Sequence, residues 1–116
     1  MTTKRTRPIS WIKAARKDFE GFPIDVQTRC LSALTFAAEG SKADIAKPLI
    51  GFGAGVFEIV LPFRGDAYRV VYAVQLADAV WVIHAFQKKS IKGIATPRRE
   101  IELIERRLKQ LKETLG

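Results

Sequence analysis

The centre of the chain switches hydrophobic period, and that switch constrains the fold more than any other feature. Val56-Phe57-Glu58-Ile59-Val60-Leu61, Ala67-Tyr68-Arg69-Val70-Val71-Tyr72-Ala73-Val74 and Ala79-Val80-Trp81-Val82-Ile83-His84-Ala85-Phe86 are dense in β-branched and aromatic residues, which suit a pleated, packed surface. Arg64-Gly65-Asp66 occupies the first gap and a short Ala77-Asp78 link the second. Links this short, built from turn residues, predict a three-stranded antiparallel meander.

Helical spacing takes over on both sides. Upstream, Pro8-Ile9-Ser10-Trp11-Ile12 reads as a short edge strand, and Lys13 to Phe19 as a helix that stops at Gly21. Pro23 stands where a first-turn proline belongs, and Val26, Cys30, Leu31, Leu34, Ala37 and Ala38 recur at helical spacing until Gly40 supplies a C-cap. Ser41 to Ala54, with Pro48, Gly51 and Gly53, reads as a connecting loop. Downstream, Thr96 as N-cap and Pro97 at the first helical position precede Ile101, Ile104, Leu108, Leu111 and Leu115, an apolar stripe that predicts a closing amphipathic helix. The order gives an α+β class, with the N-terminal helices and the C-terminal helix packed on one face of a small antiparallel sheet.

Alternation along strands then places the polar residues. Phe57, Ile59 and Leu61 share one face while Glu58 takes the other, and Tyr68, Val70, Tyr72 and Val74 oppose Arg69. His84 and Phe86 oppose Trp81, Ile83 and Ala85. With the apolar sets against helices, Glu58, Arg69 and His84 are expected to project together from an open face.

The chain has 116 residues, enough for one core and one domain over 1–116, with 1–8 as a basic, flexible tail. A single cysteine, Cys30, excludes an intramolecular disulfide and suits a reducing cytoplasm. No apolar run approaches the roughly 18 residues of a membrane span, and the polar, basic start is unlike a signal peptide. The expectation is a soluble cytoplasmic protein.

The net charge is +8, and its placement says more than its size. Residues 1–17 hold six basic residues and no acid, 18–86 hold five basic and eight acidic, and 87–116 hold nine basic and four acidic. Positive ends around a negative middle point to a polyanionic partner, nucleic acid or an acidic protein, or else to a basic tail and solvated helix faces.

His84-Ala85-Phe86-Gln87-Lys88-Lys89-Ser90 is the sharpest chemical feature. An imidazole exchanges protons near neutrality, two lysines neutralise phosphate, and a ring between them stacks on a base, a set that suits phosphodiester chemistry. The plainer reading is a structural histidine followed by strand-ending charges. Arg64 and Arg69 bracket the first hairpin, and a guanidinium fork matches phosphate. Arg69 is equally expected to pair across strands with Glu58, itself a possible proton acceptor.

Other signals carry no chemistry. Gly51-Phe52-Gly53-Ala54-Gly55 precedes a strand rather than a helix, so it is no phosphate loop. One histidine and one cysteine cannot build a common zinc site. Cys30 falls on an apolar stripe and reads as core, and Arg64-Gly65-Asp66 reads as a hairpin turn.

Ala46-Lys47-Pro48-Leu49-Ile50-Gly51-Phe52-Gly53, Val56-Phe57-Glu58, Tyr68-Arg69-Val70-Val71-Tyr72, the His84–Ser90 string and Lys92-Gly93-Ile94-Ala95-Thr96-Pro97 together resemble the phage-derived HigB-like toxins of the RelE/ParE superfamily. The resemblance runs from about Trp11 to Leu108. It implies a RelE-like fold and the toxin of a type II toxin–antitoxin pair, an endoribonuclease that enters the ribosomal A site and cuts translated mRNA. The implied chemistry uses the 2′-OH as nucleophile, needs neither metal nor cofactor, and leaves a 2′,3′-cyclic phosphate.

Carried over by motif, His84 is the general acid or base and Arg69 the stabiliser of transition-state charge. Lys88 and Lys89 neutralise phosphate, Phe86 stacks on RNA or packs, and Arg64 and Lys92 contact RNA; beside these, Glu58 stands as an alternative proton acceptor. Many relatives have an arginine two residues beyond the strand glutamate, where this chain has Val60. The implied partners are mRNA, the ribosome and a small HigA-like antitoxin with a helix-turn-helix domain, and no membrane. Two alternatives stand beside this reading: a ParE-like inhibitor of gyrase without nuclease activity, and a non-catalytic phage-derived nucleic-acid or partner-binding module.

Overall fold

A computed structural model describes residues 6–88 and 96–115. Eight elements follow in order: β1 (Ile9–Trp11), α1 (Lys13–Glu20), α2 (Ile24–Ala38), β2 (Ala46–Pro48), β3 (Val56–Phe63), β4 (Asp66–Leu76), β5 (Ala79–Lys88) and α3 (Arg98–Leu115). The strands form one sheet in the order β1-β5-β4-β3-β2. The meander is as expected, with β3, β4 and β5 antiparallel.

Two strands widen it. β1 pairs parallel with β5, Ile9 opposite Val80 and Trp11 opposite Val82, so the sheet is mixed rather than purely antiparallel. β2 lies in the segment expected to be loop and pairs Ala46 with Ile59 and Pro48 with Phe57. Three residues, one of them proline, make a strand too short to leave a period in the sequence, and Lys47 with Pro48 is typical of an edge.

Both hairpins turn in two residues with positive φ, Arg64 and Gly65 in the first and Ala77 and Asp78 in the second, the geometry that matches strand twist. α2 ends in a Schellman motif: Gly40 N–H donates to Ala37 O at 3.0 Å and Ser41 N–H to Phe36 O at 2.8 Å. Gly40 has φ 88° there, so glycine is the fitting residue. The expected tail is tethered by its seventh residue, since Arg7 N–H donates to Ala38 O at 2.9 Å and its guanidinium to Val74 O; residues 1–5 lie outside the described ones.

The helices do not share a face. Ala15 and Phe19 of α1 and Val26, Cys30, Leu34 and Ala37 of α2 pack with Ile59, Val70, Tyr72, Val80 and Val82. Ile104, Leu108 and Leu111 of α3 pack instead with Val56, Val71, Ala73 and Ile83, on the opposite side of the sheet. The reason lies in β4, where Val70, Val71, Tyr72 and Ala73 are all buried. A strand apolar on both faces demands cover on both. The second face is therefore closed by α3 over much of its extent, and among the described residues Glu58, Arg69 and His84 lie beneath cover rather than on the open face expected from alternation.

Candidate active site

A β-bulge builds the site. In the β4–β5 ladder Val71 faces His84 and Tyr72 faces Val82, leaving Ile83 as an extra residue. Such an insertion breaks strict alternation. Ile83 packs in the α3 core and His84 meets α3 side chains as well. Alternation had set His84 and Phe86 against Trp81 and Ile83; the bulge puts all four on the α3 side, with Ala85 alone opposed, in the α1–α2 core.

Glu58, Arg69 and His84 do share this face, but buried, at 1%, 3% and 3% exposure. Arg69 Nη1 donates to Glu58 Oε1 at 3.0 Å. Thr96 Oγ1 donates to Glu58 Oε2, also at 3.0 Å, and lies 3.4 Å from Arg69 Nη1. The cross-strand ion pair is thus present and pins the start of α3 to the sheet. Thr96 spends its hydroxyl on Glu58 rather than on the helix end, and Pro97 O instead accepts from Glu100 and Ile101 N–H at 3.0 and 3.1 Å. Arg69 and Glu58 are placed as a structural pair beneath α3.

His84 stands between two α3 residues. Arg107 Nη1 approaches Nδ1 at 3.0 Å and also donates to Ile83 O at 3.2 Å. A guanidinium only donates, so Nδ1 is the acceptor and Nε2 carries the proton. That Nε2–H faces Glu100 Oε1 at 3.4 Å. The Phe86 ring stacks on the imidazole, centroids 5.0 Å apart and planes at 21°. Burial pulls the His84 pKa below its ordinary value, Glu100 and Asp18 oppose that, and Arg107 adds to it. Burial also lowers Arg107 from the usual guanidinium value.

A cleft of about 440 Å³ opens here, lined among others by Asp18 and Phe22, His84 and Phe86 of β5, and Arg99 and Glu100 of α3. It lies along β5 beyond Val82, where pairing with β1 has ended. Arg64 is elsewhere, on the exposed β3–β4 turn, with its guanidinium carbon 5.1 Å above the Phe63 ring, and it lines a separate recess with Pro23, Asp25 and Tyr68. Gln87 connects the two regions by donating to Asp66 Oδ2 at 2.7 Å. Lys88 ends β5, while Lys89 and Lys92 lie outside the described residues. No group of three or more metal-ligating side chains occurs among the described residues.

Glu100, Arg107, Arg99 and Asp18 are the site residues that the sequence reading missed. A signal existed: Glu100, Ile104, Arg107, Leu108 and Leu111 fall on one helical stripe, and charged residues on an otherwise apolar stripe are worth asking about.

The family described as "Phage derived protein Gp49-like (DUF891)" matches residues 17–109. The chain belongs to the Gp49-like family. A search of curated proteins finds no match. Among solved structures, the Gp49-like chain is similar to a free-state variant of the E. coli toxin RelE, with TM-score 0.62, 19% identity and coverage of 91% of this chain and 98% of that one. It also matches a chain of the RelBE2 toxin–antitoxin complex of Mycobacterium tuberculosis, with TM-score 0.46, 21% identity and coverage of 78% and 100%. The first likeness establishes that the Gp49-like chain has the RelE fold. Among the described residues no helix is long and apolar enough to cross a membrane.

Proposed function

We propose that this protein is the toxin of a type II toxin–antitoxin pair and an endoribonuclease that cuts mRNA on the ribosome, in the manner of the HigB-like toxins it resembles. One observation carries the reading: on a RelE fold, an imidazole and a carboxylate 3.4 Å apart meet at a cleft of about 440 Å³ beside the end of β5. A cleft of that size accepts a nucleotide. Acid–base groups at its wall suit attack by the 2′-OH on the adjacent phosphate, and Arg99 at the cleft with Lys88 at the strand end supplies positive charge for the phosphorane. Phe86 backs the imidazole, so its part is to hold His84 rather than to stack on a base. Arg64, on the neighbouring turn, is positioned for RNA beyond the cleft. The matching partner is a small antitoxin of the HigA-like, helix-turn-helix kind, acting in the cytoplasm.

Transcriptome-wide mapping of new 5′ ends after a brief pulse of expression tests this, beside a folded His84→Ala control. New ends within translated codons for wild type, depleted about 10²- to 10⁴-fold in the control, are expected. Growth arrest without new ends would replace the reading by a gyrase-type target, and neither arrest nor ends by a non-catalytic binding module.

A further inference from the structure

The endonuclease reading leaves the proton acceptor unassigned, and the geometry narrows it. A neutral imidazole has one basic lone pair. In His84 that pair is on Nδ1, which accepts from Arg107 Nη1 at 3.0 Å, and the other nitrogen presents a proton to Glu100. The ring is also covered by Phe86 and its side chain is only 4% exposed, against 14% for that of Glu100. As built, His84 has no lone pair to offer a substrate. Glu100 does, and it lines the cleft in the first turn of α3.

We propose that Glu100 is the proton acceptor at this cleft and that His84 is a positioning residue, locked by Arg107 in the tautomer that donates Nε2–H to the carboxylate. This rests on the endonuclease reading above. The arrangement is a chain of three: guanidinium, imidazole, carboxylate. Arg107 holds the ring at Nδ1 and is itself anchored on the carbonyl of the bulged Ile83. The ring then fixes one carboxylate oxygen and leaves the other to meet the ribose. Asp18 from α1 and Arg99 from α3 are the other charged groups lining the cleft.

The step balances without an added reagent. A Glu100 oxygen takes the 2′-OH proton as O2′ forms a bond to phosphorus. The P–O5′ bond breaks, its electron pair leaves with O5′, and water protonates that oxygen. The products are a 2′,3′-cyclic phosphate and a 5′-hydroxyl, and Glu100 returns its proton to solvent.

The test is single-turnover cleavage of mRNA on programmed ribosomes by the full chain, with folding of each variant verified by thermal melting. Glu100→Gln is expected to lower the rate about 10²- to 10⁴-fold, and Glu100→Ala to regain activity on addition of formate, a response that loss of a structural contact would not show. His84→Gln retains an N–H donor near the place of Nε2 but cannot shuttle a proton; it is expected to stay within about tenfold of wild type, whereas His84→Ala falls much further. Cleavage by wild type that is undiminished in Glu100→Gln, or that is lost in His84→Gln as completely as in Glu100→Gln, would overturn the assignment while leaving the endonuclease standing. Absence of cleavage by wild type would overturn both.

Discussion

Burial, with Arg107 beside the ring, lowers the His84 pKa below its ordinary value, and this has a consequence for stability. Unfolded histidine takes up a proton near pH 6.5, whereas the folded ring, its pKa lowered chiefly by desolvation, resists it. Below about pH 6.5 the unfolded chain therefore binds more protons, so stability is full above that value and falls as pH drops toward 5. Urea midpoints measured from pH 7.5 to 5 are expected to show this decline and to flatten in His84→Gln; an identical decline in that variant would exclude His84 as its source. The Glu58–Arg69 pair has a different signature. Arg69→Met strands a buried carboxylate and is expected to cost about 3–5 kcal/mol, while Glu58→Gln combined with Arg69→Met recovers part of that loss; chemical denaturation of the two variants beside the parent measures both. At this scale the sequence disclosed the pairing of Glu58 with Arg69 and the burial of Cys30, whose thiol is pushed to about 12 by desolvation. It could not disclose that His84 meets Glu100 and Arg107. That contact joins a strand residue to two helix residues, and no pattern within either element encodes it.

Among the elements, the two hairpins show how local chemistry and geometry can disagree. The first places Gly65 at φ 86°, but the second holds Ala77 at φ 48° and Asp78 at φ 56°. An alanine Cβ in the left-handed region is unfavourable by about 1–2 kcal/mol, partly offset in glycine by its greater unfolded entropy. Ala77→Gly is thus expected to stabilise by about 0.5–1 kcal/mol, read as a higher urea midpoint with an unchanged slope. α1, α2, α3 and the meander were readable because each carries its own period and its own punctuation, such as Gly40 and Pro97. β2 was not, since three residues define no period. Nor was the bulge, because Ile83 and His84 form an extended pair indistinguishable in sequence from any other. A single inserted residue then reversed the expected facing of Trp81 and Ile83 relative to His84.

Over the whole molecule, the two cores explain what alternation alone misjudged. Val71, Ala73 and Ile83 are as apolar as their neighbours on the opposite face, so the sheet needed a second cover, and α3 supplies it. The site follows from that cover: its carboxylate and its guanidinium arrive with the helix.

The parallel pairing of β1 with β5 also has a temporal side. Ile9 pairs with Val80 across two intervening helices and two hairpins, and closing so long a loop is entropically slow. The meander joins neighbours in sequence and is suited to form the folding nucleus, with β1 docking after the rate-limiting barrier. Stopped-flow measurements are therefore expected to separate the two: Val70→Ala should slow folding, whereas Ile9→Ala should leave the folding rate nearly unchanged and hasten unfolding. The opposite partition would place the chain's beginning in the nucleus. If β1 docks last, the lifetime of the native state is governed by the seam along β5, a few residues from the cleft.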